Sequence, residues 1–361
     1  MASELAESRY RCLDRIVDLS IDSDADALLV AGDVFDSENR SLESRVRFRD
    51  SIARAAAAGV ECLIVHGNHD PASGHMLSLP EGAHRFPAGE VGTREVRDGS
   101  RAVARVHGYS YPERVQRENV VPLFRRVDSL PSIGLLHCQI GVDNPYAPCT
   151  VEDLEGSGMD YWALGHVHGM EVSRRGTTVI AYPGTPQGSS VGEPGPRGCL
   201  IVDMAHGEVD VEPREVSELR WGRVEVDVTG MGVSEALESV EAQASSTGDD
   251  LIDVTLTGSP ATTIGTEEVL EALRSNGARP WVSRVRDRTS AIPPSLELRE
   301  DIVGDIVAAS RSLEGGGEGA LMEVLRGQQG FPKGIAPFLE LDERVVEEAL
   351  AVALRSMGEL R

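Results

Sequence analysis

The sequence predicts an α/β protein with a second, smaller α/β unit and a helical C-terminal tail. Three observations carry this. Short apolar runs alternate with helical stretches through the first 200 residues or so. A β-α-β-α-β pattern then occupies roughly 223–289, and only helical periodicity follows 297. Buried strands separated by helices build a sheet covered on both faces.

The elements read in order. Residues 4–21 form a helix, with Leu5, Tyr10, Leu13, Ile16 and Val17 roughly on one side. ALLVAGDVFD (27–36) is a buried strand running into a loop, and 41–60 is helical. ECLIVHGNHD (61–70) is a second strand ending in a polar loop. AVARVHGYSY (102–111), SIGLLHCQIG (132–141) and DYWALGHVHG (160–169) repeat that form, and TTVIAYPGT (177–185) and GCLIVDMA (198–205) add two strands. The polar clusters fall where strands end, which is where open α/β sheets place their sites.

A change comes near 215. RVEVDVTG (223–230), DLIDVTLTG (250–258) and RPWVSRVRDRT (279–289) read as strands, with helices at 232–244 and 267–277 between them. AIPPS breaks the chain at 291–295, and helices are expected near 298–313, 318–327 and 342–359. The expected domains are therefore 1–215, 216–296 and 297–361.

Composition narrows the class. A chain of 361 residues, 40% hydrophobic, holds an enzyme core and a second domain. No apolar run approaches the ~20 residues of a membrane span, and MASELAESRYR has no signal-peptide core. The five cysteines include no C-x-x-C, which speaks against a disulfide framework or zinc ribbon. Together these point to a soluble cytoplasmic protein. The net charge of −24 argues against general coating of nucleic acid, but not against a local arginine patch.

Four strand ends carry candidate metal ligands: Asp33 in GDVFD, Asn68 and His69 in GNHD, His137 in LLHCQ, and the pair His166/His168 in ALGHVHG. In an extended chain the last two would share a side, with backbones about 6.6 Å apart. That suits two ions ~3.5–4 Å apart better than one ion. A pair of hydrogen-bonded loop histidines is the bland alternative. Mixed oxygen and imidazole ligands without cysteine suit manganese, iron or zinc better than calcium or magnesium.

This constellation resembles the calcineurin-like metallophosphoesterase superfamily, whose motifs run G-D-x-x-[DE], G-N-H-[DE], a lone His and G-H-x-H. DNPYAPC (143–149), MDYWALGHVH (159–168) and YPGTPQGSSVGEPGPRGCLIVDM (182–204) further resemble DNA-repair exonucleases of the SbcD/Mre-eleven type, nearest to a YhaO-like bacterial group. The strong resemblance covers roughly 5–205. It implies a β-sandwich flanked by helices, a small capping domain at 216–296, and a tail that meets an SbcC- or YhaN-like coiled-coil ATPase. It also implies a manganese-dependent exonuclease that hydrolyses DNA phosphodiesters with a metal-activated water, and a homodimer as one open state. Carried over, Asp33 bridges two metals, Asn68, His137 and His166 complete the second metal's shell, and His168 serves the first. His69 touches the scissile phosphate as general acid, and Asp70 orients His69 or closes a loop hydrogen bond.

One motif is missing. The family begins with D-x-H, which supplies two first-metal ligands, and no D-x-H occurs here. Residues 1–26 correspond to the helix after that motif. The first-metal site is thus expected to be incomplete. Three accounts compete: a start assigned too far downstream, a mononuclear or inactive relative, or a substitute carboxylate such as Asp36. Two other readings of function stay open, a scaffold that binds DNA or the ATPase without hydrolysis and a small-nucleotide phosphodiesterase. His66 and His107 read as structural, His75, His84 and His206 as loop or surface residues, and Cys138 as core. Among scattered arginines, Arg174 and Arg175 are candidates for DNA contact beside the site.

Overall fold

The computed structural model describes residues 2–35, 41–74, 78–141, 143–205, 207–275, 277, 279–290 and 351. The chain divides into two compact units, Met1–Arg220 and Trp221–Arg361. The tail expected at 297–361 lies outside the described residues except Ala351. Among the described residues no helix is long and apolar enough to cross a membrane.

The first unit runs α1 (Ala2–Asp22), β1 (Ala27–Ala31), α2 (Leu42–Ala57), β2 (Glu61–Val65), β3 (Ala83–Arg85), β4 (Val91–Asp98), β5 (Arg101–Tyr109) and β6 (Ser132–His137). It continues with α3 (Val151–Gly156), β7 (Tyr161–Gly165), β8 (Glu171–Arg175), β9 (Thr178–Tyr182), β10 (Gly198–Asp203) and β11 (Asp210–Glu215). One sheet has the order β1-β2-β3, a larger one β4-β5-β6-β7-β9-β8, and β10-β11 form a hairpin. In the first sheet every pairing is parallel; in the second, β5, β6, β7 and β9 are mutually parallel and β4 and β8 close the edges antiparallel.

Alternation within the strands explains the layers. Leu29, Leu63, Val65 and Ala31 point inward to meet Val106, Leu135, Ala163 and Ala181 of the large sheet, with Leu200 and Val202 of β10 joining them. Leu28, Val30, Cys62 and Ile64 point the other way, against Val17 of α1 and Phe48, Ile52 and Ala55 of α2. Leu136, Trp162, Leu164 and Ile180 cover the opposite face of the large sheet together with Leu154 of α3. The result is a two-sheet sandwich with helices on both outer faces. Strands apolar on both faces are the ones that read as continuous runs.

The edges are where sequence reading fell short. β4 (VGTREVRD), β8 (EVSRR) and β11 (DVEPRE) carry alternating charge, and no apolar run marks them. Charged edges limit pairing with other chains. The α2 start is set locally: Ser41 accepts from the Ser44 amide, which satisfies one orphan N–H of the first turn.

The second unit holds β12 (Trp221–Asp227), α4 (Val233–Ser246), β13 (Leu251–Gly258), α5 (Thr266–Ser275) and β14 (Trp281–Thr289). Its three strands pair in parallel in the order β12-β13-β14. Val224, Val226, Ile252, Val254 and Val285 pack on Ala236 and Val240 of α4 and Val269 of α5. Parallel neighbours require crossovers, and the helices supply them.

Candidate metal centre

The site forms where β1, β2, β6 and β7 end. Gly32 and His66 follow the last residues of β1 and β2, β6 and β7 end in His137 and Gly165, and the β1 and β2 loops are tied to each other. Asp70 is buried, and its carboxylate accepts from the amides of Asp33 (3.1 Å), Val34 (2.9 Å) and Gly67 (2.9 Å). Asp33 returns the tie, since its Oδ1 accepts from the His69 amide at 2.7 Å. The β1 and β2 loops therefore fix each other before any side chain reaches a ligand. Burial pushes the Asp70 carboxyl up to about 6, against the pull of those amides.

His137 lies fully buried at the end of β6. Its Nδ1–H donates to the Ala31 carbonyl at 2.8 Å, so in the neutral ring Nε2 carries a lone pair. That nitrogen faces Asn68 Oδ1 at 2.9 Å and Asp33 Oδ2 at 3.2 Å. Asn68 Oδ1 also lies 3.1 Å from His166 Nδ1. Ligand atoms of Asp33, His137 and His166 all fall within 4.8 Å of one another.

Two glycines permit this closeness. A Cβ on Gly67 would lie 2.2 Å from Asp33 Oδ1, and one on Gly165 would lie 1.9 Å from the Ala31 carbonyl and 2.8 Å from His137 Nδ1. At Gly169, by contrast, a Cβ would meet open space. Backbone strain marks the same place: Asp33 has φ 51° and His166 φ 97°. Positive φ is uncommon outside glycine, with Asp and His among the more tolerant types, and such conformations concentrate at functional sites.

The donor set fits a divalent cation. With His137 neutral, lone pairs of an imidazole, a carboxylate and an amide oxygen point at one another, an arrangement that needs positive charge between them. With His137 protonated, the ring supplies that charge: burial raises the Asp33 carboxyl, but His137 and the His69 amide outweigh it and hold the group below the usual range. Burial, then His137, pushes His166 down to about 4, so its ring is neutral and available as a ligand at pH 7. Two imidazoles, a carboxylate and an amide oxygen suit manganese, iron or zinc.

The expected residues do not all gather. Asp33, Asn68, His137 and His166 converge. His168 lies outside that close group, because β7 ends at Gly165 and the turn at His166 breaks the extended geometry that would have set both rings on one side, although Asp33 and His166 still act on its ring across space. The His168 ring is 62% exposed and its Nδ1 is paired closely with Glu193. That hydrogen bond, against burial, raises His168, while burial of Glu193 is overcome by His168 and Ser189, which hold Glu193 down at about 2. His69 is exposed at the rim, with its amide on Asp33. Asp70 holds three loop amides, which makes it a positioning residue and not a group in contact with the reaction.

Arg174 and Arg175 are not beside the site. They pair with Val179 and Thr178, whereas Glu171 and Tyr182 mark the end of the hairpin nearer His168. Three residues at ~3.3 Å each put Arg174 about 10 Å down the strand, and its guanidinium donates to the Val209 carbonyl at 2.6 Å. His66 is buried and its ring donates to the Asp70 carbonyl at 2.6 Å, while His107 is buried against Thr93. Cys138 is buried in the core as expected. Asp36, His75 and His206 lie outside the described residues.

Sequence reading passed over Glu193 and Arg197. Neither belongs to the four motifs, yet both hold His168: Glu193 at the ring and Arg197, closely, at the carbonyl. Both lie in the 182–204 stretch that carries part of the resemblance, but within it nothing marks Glu193 beyond a lone acidic residue in a Ser/Gly/Pro loop.

Residues 9–207 match the model of the calcineurin-like phosphoesterase superfamily domain. The metallophosphoesterase YhaO of Bacillus subtilis (strain 168) is 31% identical over 233 residues, 63% of this chain and 57% of that protein. The DNA double-strand break repair protein Mre11 of Aeropyrum pernix is 28% identical over 243 residues, covering 62% of this chain and 59% of its own length. Mre11 of Haloferax volcanii is 28% identical over 225 residues, 60% of this chain and 49% of that one. The chain thus spans about half to three-fifths of the length of these curated relatives. With the family model covering over half of the sequence, the chain belongs to the calcineurin-like phosphoesterase superfamily.

Proposed function

We propose that this protein is a manganese-dependent phosphodiesterase acting on DNA as an exonuclease in repair. The observation that carries the reading is the convergence of Asp33, Asn68, His137 and His166 at four strand ends. Relatives named for double-strand break repair support the choice of DNA. A divalent cation held there supplies Lewis-acid charge to a phosphate oxygen and lowers the pKa of a water. The chain does the rest. Asp33, fixed by the His69 amide, and His137, fixed by Ala31, present preset ligand atoms. The Tyr146 ring lies against His166, centroids 4.5 Å apart and planes tilted by 35°, and so limits the room in which the imidazole can turn. His69, exposed beside Asp33, is proposed to meet the scissile phosphate and to give a proton to the leaving oxygen.

The proposed partner is an SbcC- or YhaN-like coiled-coil ATPase bound through 297–361, and the proposed domains are 1–215, 216–296 and 297–361. The preparation should be cytoplasmic in origin and is assayed as the full chain. End-labelled DNA and cyclic nucleotides are incubated with manganese, with magnesium and with chelator, using H137A and H69A as controls. Manganese-dependent loss of terminal nucleotides, abolished by H137A and H69A, is the expected result. Hydrolysis of cyclic nucleotides without attack on DNA would replace the reading with a small-nucleotide phosphodiesterase. One ligand cluster among the described residues, where two-metal hydrolysis uses a pair of ions, favours a scaffold as second reading. DNA binding without hydrolysis is its outcome.

A further inference from the structure

We infer that Glu193 is the positioning residue for His168: it fixes the imidazole with the proton on Nδ1 and leaves Nε2 as the only ring nitrogen open to a divalent cation. The inference rests on the phosphoesterase reading, with His168 carried over from the family's G-H-x-H motif as a ligand of the first metal.

The geometry is built, not incidental. Glu193 is buried at 8% exposure, whereas the ring it holds faces solvent. Oε1 takes the His168 ring, and Oε2 accepts from the Ser189 amide at 2.7 Å and the Ser189 hydroxyl at 2.9 Å. Both carboxylate oxygens are thus committed. A carboxylate acting only as acceptor dictates the proton position on its partner. The loop carrying Glu193 is anchored at both ends. Gln187 donates to the Leu219 carbonyl at 2.8 Å and accepts from the Glu218 and Leu219 amides at 2.9 and 3.2 Å. The Arg197 carbonyl accepts from the Val216 and Ser217 amides, each at 3.0 Å. His168 is in turn held at its backbone, where the carbonyl accepts from the Thr185 amide at 3.2 Å and from Arg197. Ring and backbone are therefore both constrained, although the side chain is exposed.

An exposed histidine gains nothing in packing from such restraint. A ligand gains much: a carboxylate on the distal nitrogen sets tautomer and plane and raises the basicity of the nitrogen that binds. Losing such a partner typically weakens metal affinity by about 10–100-fold.

The test uses the full chain with 15N-labelled histidine, metal-free at pH 8.5, and manganese titration of the same preparations. H168Q assigns the His168 resonances. The expected result is an Nδ1–H tautomer in the wild type, loss of that preference in E193A, and manganese binding about 10–100-fold weaker in E193A and in H168Q. E193Q keeps an acceptor without the charge and should bind between the two, and it decides the matter if E193A does not fold. Wild-type affinity in E193A or E193Q, with H168Q weakened, overturns the role of Glu193 alone. An unchanged tautomer in E193A overturns it too. Wild-type affinity in H168Q removes His168 as a ligand and overturns the reading beneath.

Discussion

Adding a single methyl group at Gly67 should empty the metal centre while leaving the protein folded. In Gly67→Ala the new Cβ would sit 2.2 Å from Asp33 Oδ1, 2.8 Å from the Asp33 amide nitrogen and 2.9 Å from Cγ. Relief to the 3.0 Å that real Cβ atoms respect needs a displacement of about 0.8 Å. Either Asp33 moves and gives up its bond from His69, or the Gly67 backbone moves and carries Asn68 with it. One ligand is displaced in both cases. Metal sites tolerate roughly ±0.2 Å in ligand distance, so 0.8 Å lies well outside. Manganese affinity should fall at least about 100-fold, and DNA hydrolysis by a similar factor. The stability cost is that of local overpacking, about 1–3 kcal/mol. Isothermal titration with manganese and urea unfolding, on the same preparation, separate the two effects. A folded Gly67→Ala protein that binds manganese within threefold of wild type would refute the geometry.

Further outcomes follow from particular contacts. Asp70→Asn replaces one acceptor oxygen by a donor facing backbone amides; urea unfolding should show a loss of about 3 kcal/mol, and a change under 1 kcal/mol would remove its role in joining the loops. Burial, with Arg85 adding to it, pushes His66 down to about 4 from 6.5. The unfolded chain then binds the extra proton, so the contribution is complete above pH 6.5 and is lost as pH falls toward 4, about 3 kcal/mol in all. The stability gap between wild type and His66→Gln should therefore narrow between pH 7 and pH 4.5; a constant gap would contradict this. Reversing Arg174 and Arg175 to glutamate should leave DNA affinity and its salt slope unchanged, since both lie at the far end of the β8–β9 hairpin. A shallower slope would return them to the interface.

Much of the fold was legible because the central strands are apolar on both faces. β1, β2, β6, β7 and β9 announce themselves as runs such as ALLVA, ECLIV and TVIAY. The edge strands do not, since β8 and β11 expose their charges on either side. α3 was missed although TVED carries a capping box that the structure forms between Thr150 and Asp153. The converging ligands were legible through motif resemblance, not through periodicity: nothing in the spacing of Asp33, Asn68, His137 and His166 sets them within a few ångström. What the sequence hid was conformation. An i, i+2 pair shares a side only in extended backbone, and the φ of 97° at His166 turns the two histidines to different partners. Glu193 was hidden for a related reason, because its importance lies in burial and in Ser189, neither of which a single acidic letter displays.

The central claim is that Asp33, Asn68, His137 and His166 together hold the cation that hydrolysis requires. Metal analysis after equilibrium dialysis against manganese tests it most directly, with wild type and His137→Ala compared in the same run. The account predicts that His137→Ala retains at least one ion per chain fewer than wild type and loses manganese-dependent DNA cleavage. Equal manganese content in the two folded proteins would contradict it.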